Sequence, residues 1–476
     1  MSTPLLHKAY DSGLFKEDAT ALVTMLTKHL EQTISGNAPK VTTTKDPKEE
    51  LAFWKDYIKN PQSSSAFFDT ILERSIHVHH PHYIGHQIAP TVPVSALATL
   101  LSAFLNNGMA IYEMGQASSA IEKLVIEWFT QTIGYTNGDG FLTSGGTLAN
   151  LTALLAARKA KAKHDIWNDG HQERLAIMVS EEAHYCIDRA ARIMGLGADG
   201  IIKIPVNDHF AIRTDVLQSY YDQAQEKGLT VIAIIGSASS TSTGMYDDLE
   251  GLYAFAKAHS LWFHVDGAHG GAAIFSKTYR HLVKGMEKAD SIIIDGHKMM
   301  ATASIATALL FKNGQDSYET FSQKAQYLWE QQDDEEWYNY AKRTFECTKS
   351  MMSLRFLSII NAYGTAFFDD FVTTLYTTGK QLAKLIEEAP DFTLFLEPQS
   401  NIVCFRYIGD GNMENVAMHN KKIRQALLDD GAFYIVSTQL KGSFWLRATC
   451  MNPFTNMDRM RALLDKIRTI AQQLIH

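Results

Sequence analysis

One lysine stands where a buried strand gives way to a second apolar run. In "SIIIDGHKMM" (291–300), Ile292, Ile293 and Ile294 lead into Asp295, Gly296, His297 and Lys298, and Met299 and Met300 follow at once. Burying an ammonium without a partner is costly. A lysine held in apolar surroundings has a lowered pKa and becomes nucleophilic, which suits imine formation with a carbonyl. Three further motifs fall at strand ends or strand-to-helix turns. "FLTSGGTLANLTALLAAR" (141–158) sets Ser144, Gly145, Gly146 and Thr147 just before a helix. Glycines there allow close backbone approach, and N–H groups at a helix N-terminus attract phosphate. An ordinary turn capped by Thr147 fits equally well. The Gly-Lys-Ser/Thr ending of a P-loop is absent. "WFHVDGAHGG" (262–271) places Asp266 after an apolar strand, as a helix cap or as the partner of a buried cation. "MVSEEAHYCIDRAARIMGLG" (178–197) places His184 between strand and helix, where a histidine can be structural or catalytic.

Together these residues make a more specific set than any one of them. A Schiff-base lysine, an acid for a pyridinium nitrogen, an anion cradle and a flat ring that could stack are what pyridoxal 5'-phosphate (PLP) requires. A second cluster, "HVHHPHYIGH" (77–86), carries His77, His79, His80, His82 and His86. It offers no metal site by spacing: Pro81 interrupts a helix, no Cys or acid lies within it, and the intervals match no closed zinc set. A loop whose rings pack and hydrogen-bond near the site is expected instead.

The elements that must position these residues are legible in the hydrophobic pattern. Residues 1–85 read as amphipathic helices, interrupted by a polar loop at "TTTKDPKEE" (42–50). From about 140, short apolar runs alternate with helical stretches: "LAIMVSEEAH", "VIAIIGSAS", "LWFHVDGAHGG" and "SIIIDGHK" are strands. That alternation predicts an α/β fold with a mainly parallel sheet covered on both faces and working residues at strand carboxyl ends. The expected domains are 1–85, a large α/β domain over 86–350, and a small α+β domain over 351–476 with strands in "NIVCFRYI" and "SFWLRAT".

The 476 residues are 46% hydrophobic, 20% charged and carry net charge −8, enough for two or three domains with sizeable cores. No basic patch suggests nucleic acid. No run reaches the roughly 18 apolar residues of a membrane span, and the N-terminus lacks a secretory pattern. Cys186, Cys347, Cys404 and Cys450 are scattered, as reduced thiols of a cytoplasmic protein would be.

The motifs "HPHY", "TSGGTLANL", "EEAHYCIDRAA", "STSTGMYDDL", "HVDGAHGG", "RHLVKGMEKADS", "DGHKMM", "QYL" and "FWLRATCMNP" follow one another in a familiar order. Over about 67–460 the sequence resembles the group II PLP-dependent L-amino-acid decarboxylases: the glutamate, cysteine sulfinate, aromatic amino-acid and diaminobutyrate enzymes. The resemblance implies a PLP-dependent transferase-like architecture (fold type I). Lys298 would hold PLP, Asp266 would pair with the pyridinium N–H, and Ala268 would pack one ring face. His184 would stack on the other face and pass a proton. Gly146 and Thr147 would bind phosphate, with Ser144 and Gly145 shaping the turn. His297 and Thr241 would neighbour the cofactor. Arg447 would grip the substrate α-carboxylate, the alternative being an ordinary surface arginine on an edge strand. Tyr327, in "QYLWEQQDDEEWYNY", matches the tyrosine that returns a proton; relatives that form aldehydes often have phenylalanine there. Asp295 stands where Asn is common, and a carboxylate near the phosphate repels it unless a donor intervenes.

The resemblance further implies a homodimer with its active site at the interface, interlocked N-terminal helices and a 77–116 segment lining the site. "IYEMGQA" (111–117), "YLWEQ" and "ECTKS" are similar to the glutamate and cysteine sulfinate branch. His269 departs from the usual Trp or Tyr. Lys349 is a candidate for a distal carboxylate, and Glu113 for a diamino substrate. The expected reaction is decarboxylation of a small polar L-amino acid, acidic ahead of diamino, with aromatic substrates last. An aldehyde synthase, or a catalytically silent PLP-fold protein, is the competing expectation; intact Lys298, Asp266 and His184 oppose the latter.

Overall fold

The computed structural model describes residues 3–38, 40–321, 336–410 and 414–474. The chain forms two compact units. The larger comprises Gln87–Ala383 and Leu396–Val403, and the smaller Met1–His86, Lys384–Phe395 and Cys404–His476.

The larger unit is built on seven strands: β1 (Asp139–Thr143), β2 (Leu175–Ser180), β3 (Ile201–Ile204), β4 (Thr230–Ser237), β5 (Trp262–Asp266), β6 (Ser291–Asp295) and β7 (Thr307–Phe311). Their order across the sheet is β1-β7-β6-β5-β4-β2-β3. The strands from β6 across to β3 pair in parallel. Every residue of β1, β2, β5, β6 and β7 is buried. This is why they read as unbroken apolar runs rather than alternating ones. Between β1 and β2, the helix Gly146–Lys161 buries Ala149, Ala153, Ala156 and Ala157 in the core. Such small residues let a helix backbone approach a sheet closely.

β7 departs from the parallel pattern: it runs antiparallel to both β6 and β1. The stretch 296–306 between β6 and β7 is short for a parallel crossover, which needs a dozen or more residues. The chain therefore turns back. That return carries Lys298 at its start and Thr307 at its end, and register pairs Asp295 with Thr307.

In the smaller unit, β8 (Phe392–Leu394), β9 (Ile402–Tyr407), β10 (Val436–Leu440) and β11 (Ser443–Thr449) form a sheet of order β10-β11-β9-β8. The helix Met457–Gln473 buries Met460, Leu463, Leu464 and Ile467, the stripe expected of an amphipathic helix. The N-terminal segment joins this unit through main-chain bonds: Val41 N–H to Gly431 O (2.8 Å), Ile84 N–H to Tyr434 O (2.9 Å) and Thr449 N–H to Ile84 O (3.0 Å).

Histidines of the 77–86 run act in that junction. The ring of His80 bonds the Ala38 carbonyl and that of His82 the Ala432 carbonyl, each at 3.0 Å. His82 also stacks on Phe433 with centroids 3.9 Å apart. Burial drives its pKa down to about 4.

Candidate active site

The carboxyl ends of β4, β5 and β6, together with the turns after β1 and β2, surround a cavity of about 220 Å³ in the larger unit. Gly146, Thr147, His184, Thr241, Asp266, Ala268, His297 and Lys298 line it, as do Asp295 and His269. Ser144 and Gly145 do not: Ser144 Oγ donates to Glu346 Oε1, and Gly145, at φ +109°, occupies the helix N-cap. Arg447 belongs to the smaller unit. Tyr327 lies outside the described residues.

Lys298 is positioned by the turn that ends β6. Asp295 N–H donates to Ala268 O at 3.1 Å, and Lys298 N–H donates to Asp295 O at 3.4 Å. The side chains then meet, with Lys298 Nζ 2.9 Å from Asp295 Oδ2. Burial is the largest single influence and pulls the lysine pKa down, but the Asp295 carboxylate together with Asp266 and Cys186 outweighs it, so the net direction is up. The expectation of a lowered pKa is thus corrected, because the apolar run around Lys298 hides a counter-ion. Burial pushes Asp295 up, while Lys298 and His297 pull it further down, and its pKa ends below the usual carboxylate range. Thr307, across the β6–β7 ladder, donates its hydroxyl to Asp295 Oδ1. The donors that a carboxylate in this place needs are therefore present.

The helix Gly146–Lys161 opens on the cavity with no side-chain cap. Leu148 N–H already bonds Gly145 O at 3.1 Å, so the N–H groups of Gly146 and Thr147 are the ones that can face an anion. A Cβ on Gly146 would lie 3.1 Å from Asp295 Oδ1 and 3.6 Å from Ala268 Cβ, so only glycine keeps that wall open. Ser237, at the end of β4, and Ser239, Ser240 and Thr241, after it, add hydroxyls. Ser239 Oγ is buried with no partner among the described residues.

Asp266 ends β5 as a double acceptor. Its Oδ1 receives Ala268 N–H at 3.2 Å and its Oδ2 receives Asn150 Nδ2–H at 3.1 Å. His184 caps the helix Tyr185–Ile193, its Nδ1 accepting from Cys186 N–H at 3.4 Å. That bond leaves Nε2 to carry the proton of the neutral ring, and burial lowers the pKa of this histidine. Its structural and chemical readings therefore coexist. His297 holds its ring by Nδ1 against the main chain of Ala306. The uncapped helix start, the acceptor at Asp266 and the amine of Lys298 fit a phosphorylated pyridine aldehyde.

Asn150, Cys186, Ser237, Ser239 and Ser240 also line the cavity and escaped sequence reasoning. The hydroxyl-rich "SASSTSTG" (237–244) at a strand end was the available signal for the serines. Asn150 had only its polarity on an apolar helix face. Two residues considered for substrate recognition stand elsewhere. Lys349 is buried in an ion pair with Glu122, and its Nζ also donates to Leu142 O at 2.8 Å. Glu113 is exposed and does not line the cavity.

The pattern of the pyridoxal-dependent decarboxylase conserved domain matches residues 64–408. Curated relatives include an L-2,4-diaminobutyrate decarboxylase of Acinetobacter baumannii, 27% identical over 87% of this chain and 84% of its own length. An aromatic-L-amino-acid decarboxylase of Bacillus atrophaeus is 26% identical over 90% and 86%, and an L-aspartate decarboxylase of Metarhizium robertsii 27% over 85% and 82%. The solved glutamate decarboxylase domain of diaminobutyrate-pyruvate transaminase and L-2,4-diaminobutyrate decarboxylase from Vibrio parahaemolyticus superposes with TM-score 0.84. It is 24% identical, covering 96% of this chain and 95% of that one.

Proposed function

The chain belongs to the pyridoxal-dependent decarboxylase family, and from that premise we propose that it decarboxylates a small polar L-amino acid, acidic ahead of diamino. It is a PLP-dependent carboxy-lyase. When bound, PLP supplies a conjugated electron sink for the bond that breaks. The chain's own residues supply attachment, charge and orientation. Lys298 offers the amine. Asp266 offers the acceptor for the ring N–H. The start of the helix Gly146–Lys161 offers the anion site, and His184 offers a neutral ring with its proton on Nε2. The lining residues would hold the substrate in one orientation, and fixed orientation of reacting groups accounts for much of the rate gain in such a site.

Arg447 is the candidate partner of the substrate α-carboxylate. It is 6% exposed on β11, a strand flanked by β10 and β9, so it is not a surface arginine on an edge. Its Nε and Nη2 are buried with no partner among the described residues. A buried guanidinium with unspent donors is costly unless an anion completes it. Tyr327 is the candidate acid that returns a proton to Cα.

The observation that carries the substrate reading is His269. It lines the cavity, 2% exposed, with Nε2 2.8 Å from Asn401 Oδ1. The imidazole, held from behind by the Asn401 amide, and the hydroxyls of Ser239, Ser240 and Thr241 make that part of the wall polar. An indole or catechol ring would gain little apolar burial against a wall this polar. The three relatives act on three different substrate classes at nearly equal identity, so they do not discriminate. The stretch "IYEMGQA" tips the balance toward an acidic side chain, and 2,4-diaminobutyrate is the second reading. CO2 release with PLP from aspartate, glutamate, cysteine sulfinate, 2,4-diaminobutyrate, tyrosine and tryptophan tests this order. Turnover confined to tyrosine and tryptophan would overturn it.

We also propose that the chain works as a cytoplasmic homodimer. The helix Pro93–Leu105 exposes Leu97, Leu100, Leu101 and Phe104, and the N-terminal helices expose Leu5, Phe15 and Leu26. Apolar patches of this kind mark interaction surfaces. Light scattering that gives a monomer mass at assay concentration would refute the dimer.

A further inference from the structure

Behind Asp266 runs a chain of hydrogen bonds with no part in the roles assigned above. Asn150 Nδ2 donates to Asp266 Oδ2 at 3.1 Å and to Cys186 Sγ at 3.2 Å. With its nitrogen spent as a donor, the amide presents Oδ1 as an acceptor. His264 Nε2 lies 2.8 Å from that oxygen and must carry a hydrogen. A neutral imidazole has one N–H, so Nδ1 is left as an acceptor. Ser291 Oγ, 2.8 Å from Nδ1, is then the donor. Ser291 Oγ in turn receives the indole N–H of Trp262 at 2.9 Å, a group that can only donate.

Every proton in this chain points the same way, from the indole to the carboxylate. The backbone fixes the order. His264 and Ser291 are register partners across β5 and β6, and Asn150 reaches them from the helix packed on the sheet. Asn150 is 1% exposed, His264 0%, Ser291 0% and Trp262 3%, so water does not compete for the bonds. Burial keeps the His264 pKa down at about 4, which agrees with the neutral tautomer that the network requires. Aligned bonds in a dry interior polarise one another.

We propose that Asn150 and His264 are positioning residues that act through Asp266. The directed chain Trp262–Ser291–His264–Asn150 holds the Asp266 carboxylate as an oriented acceptor, so the shared proton resides on the ring nitrogen of bound PLP. The electron demand of the cofactor is thereby set through Asp266, from Asn150 at the cavity wall and from His264, Ser291 and Trp262 in the sheet interior. Donated hydrogen bonds favour the ionised carboxylate, and a carboxylate held ionised leaves the proton with its partner. This inference rests on the reading of the cavity as a PLP site.

The test is the nitrogen-15 NMR shift of the ring nitrogen when labelled PLP is added to the purified full-length chain. Wild type is expected in the protonated range. Asn150→Leu and His264→Phe are expected to move toward the unprotonated range and to weaken PLP binding by at least about tenfold, the loss of one bond to a charged group. His264→Gln keeps a donor toward Asn150 and is expected to restore both readouts. If Asn150→Leu fails to fold, Ser291→Ala removes the donor that sets the His264 tautomer and is expected to shift in the same direction. With 1-deaza-PLP, which has no ring nitrogen, wild type and variants should bind equally. Unchanged nitrogen shifts in folded variants, no rescue by glutamine, or equal weakening toward the deaza cofactor would each overturn the proposal. Failure of wild type to bind PLP would instead overturn the PLP reading itself.

Discussion

Asp295 and Lys298, one turn apart at the end of β6, form an ion pair with Nζ 2.9 Å from Oδ2. The residue placed to repel an anionic cofactor is thus the counter-ion of the residue placed to attach it. Neutralising Asp295 removes the largest of the interactions that raise the amine pKa and leaves burial, which lowers it, opposed by Asp266 and Cys186. Asp295→Asn is therefore expected to shift the pH profile of PLP capture by the purified chain to lower pH. Stopped-flow absorbance between pH 6 and 10 measures it, about the range over which a perturbed lysine titrates. A profile that stays put, or moves to higher pH, would show that the pair does not govern the amine.

Removing the amine altogether is a harsher test. Lys298→Ala is expected to leave turnover below about a thousandth of wild type, since Lys298 is the one lysine among the described residues that line the cavity. The absorbance band of bound cofactor and its response to borohydride should vanish with it. Turnover near the wild-type level would defeat the proposed role.

Gly146 separates folding from cofactor binding. Gly146 is the first residue of its helix, so the roughly 1 kcal/mol interior preference for alanine is only partly realised. The contact with Asp295 offsets it, and Gly146→Ala should leave thermal stability little changed in the absence of PLP. The added Cβ would press on Asp295 Oδ1 at 3.1 Å and narrow the anion site. Weaker PLP binding at a little-changed melting temperature is the expected pair of results. Unchanged affinity would place the phosphate elsewhere.

Lys349 is predicted to matter for stability rather than specificity. Its ion pair with Glu122 is fully buried, and removing one partner of such a pair costs about 3–5 kcal/mol. Lys349→Met should lower the denaturation midpoint sharply, while the added Glu122→Gln should recover much of the loss. The ranking of substrates in a CO2 assay should not change. A selective loss of acidic substrates would make Lys349 a recognition residue after all.

His264 also predicts how stability depends on pH. Its pKa falls from 6.5 unfolded to about 4 folded, chiefly through burial. For a depressed histidine, the stability is fully present above pH 6.5 and is lost as pH falls toward 4, because the unfolded chain takes up the proton first. At pH 4 the loss from this one group is about 3 kcal/mol. His264→Gln cannot titrate, so its melting temperature should fall less steeply than wild type over that window. Parallel slopes would contradict the buried neutral ring.

The parallel sheet and most residues lining its cavity were legible in the sequence, because each motif is local: a strand, its end, and the side chain that follows. Lys298, Asp266 and His184 announce themselves by interrupting apolar runs. What could not be read was pairing over distance. The reversal of β7 depends on how little chain separates it from β6. The counter-ion of Lys298 is visible in the sequence only as an awkward aspartate. Lys349 looked available because Glu122 is 227 residues away. Asn150 is a small polar residue on an apolar helix face, and nothing local distinguishes a cavity wall from a satisfied core there.

The hydrogen-bond chain behind Asp266 has a consequence for how the molecule is made. Its links join residues far apart in the sequence, with Asn150 and His264 separated by 114 positions. Contacts of such separation form late, after the loops between them have been closed at an entropic cost. Asp266 is therefore oriented only once β5, β6 and the helix Gly146–Lys161 have docked together. A chain arrested earlier would carry Lys298 yet offer no settled partner for the cofactor ring. PLP added during refolding would then stabilise only molecules whose sheet is complete, making the vitamin a selector of correctly assembled enzyme as well as its reagent.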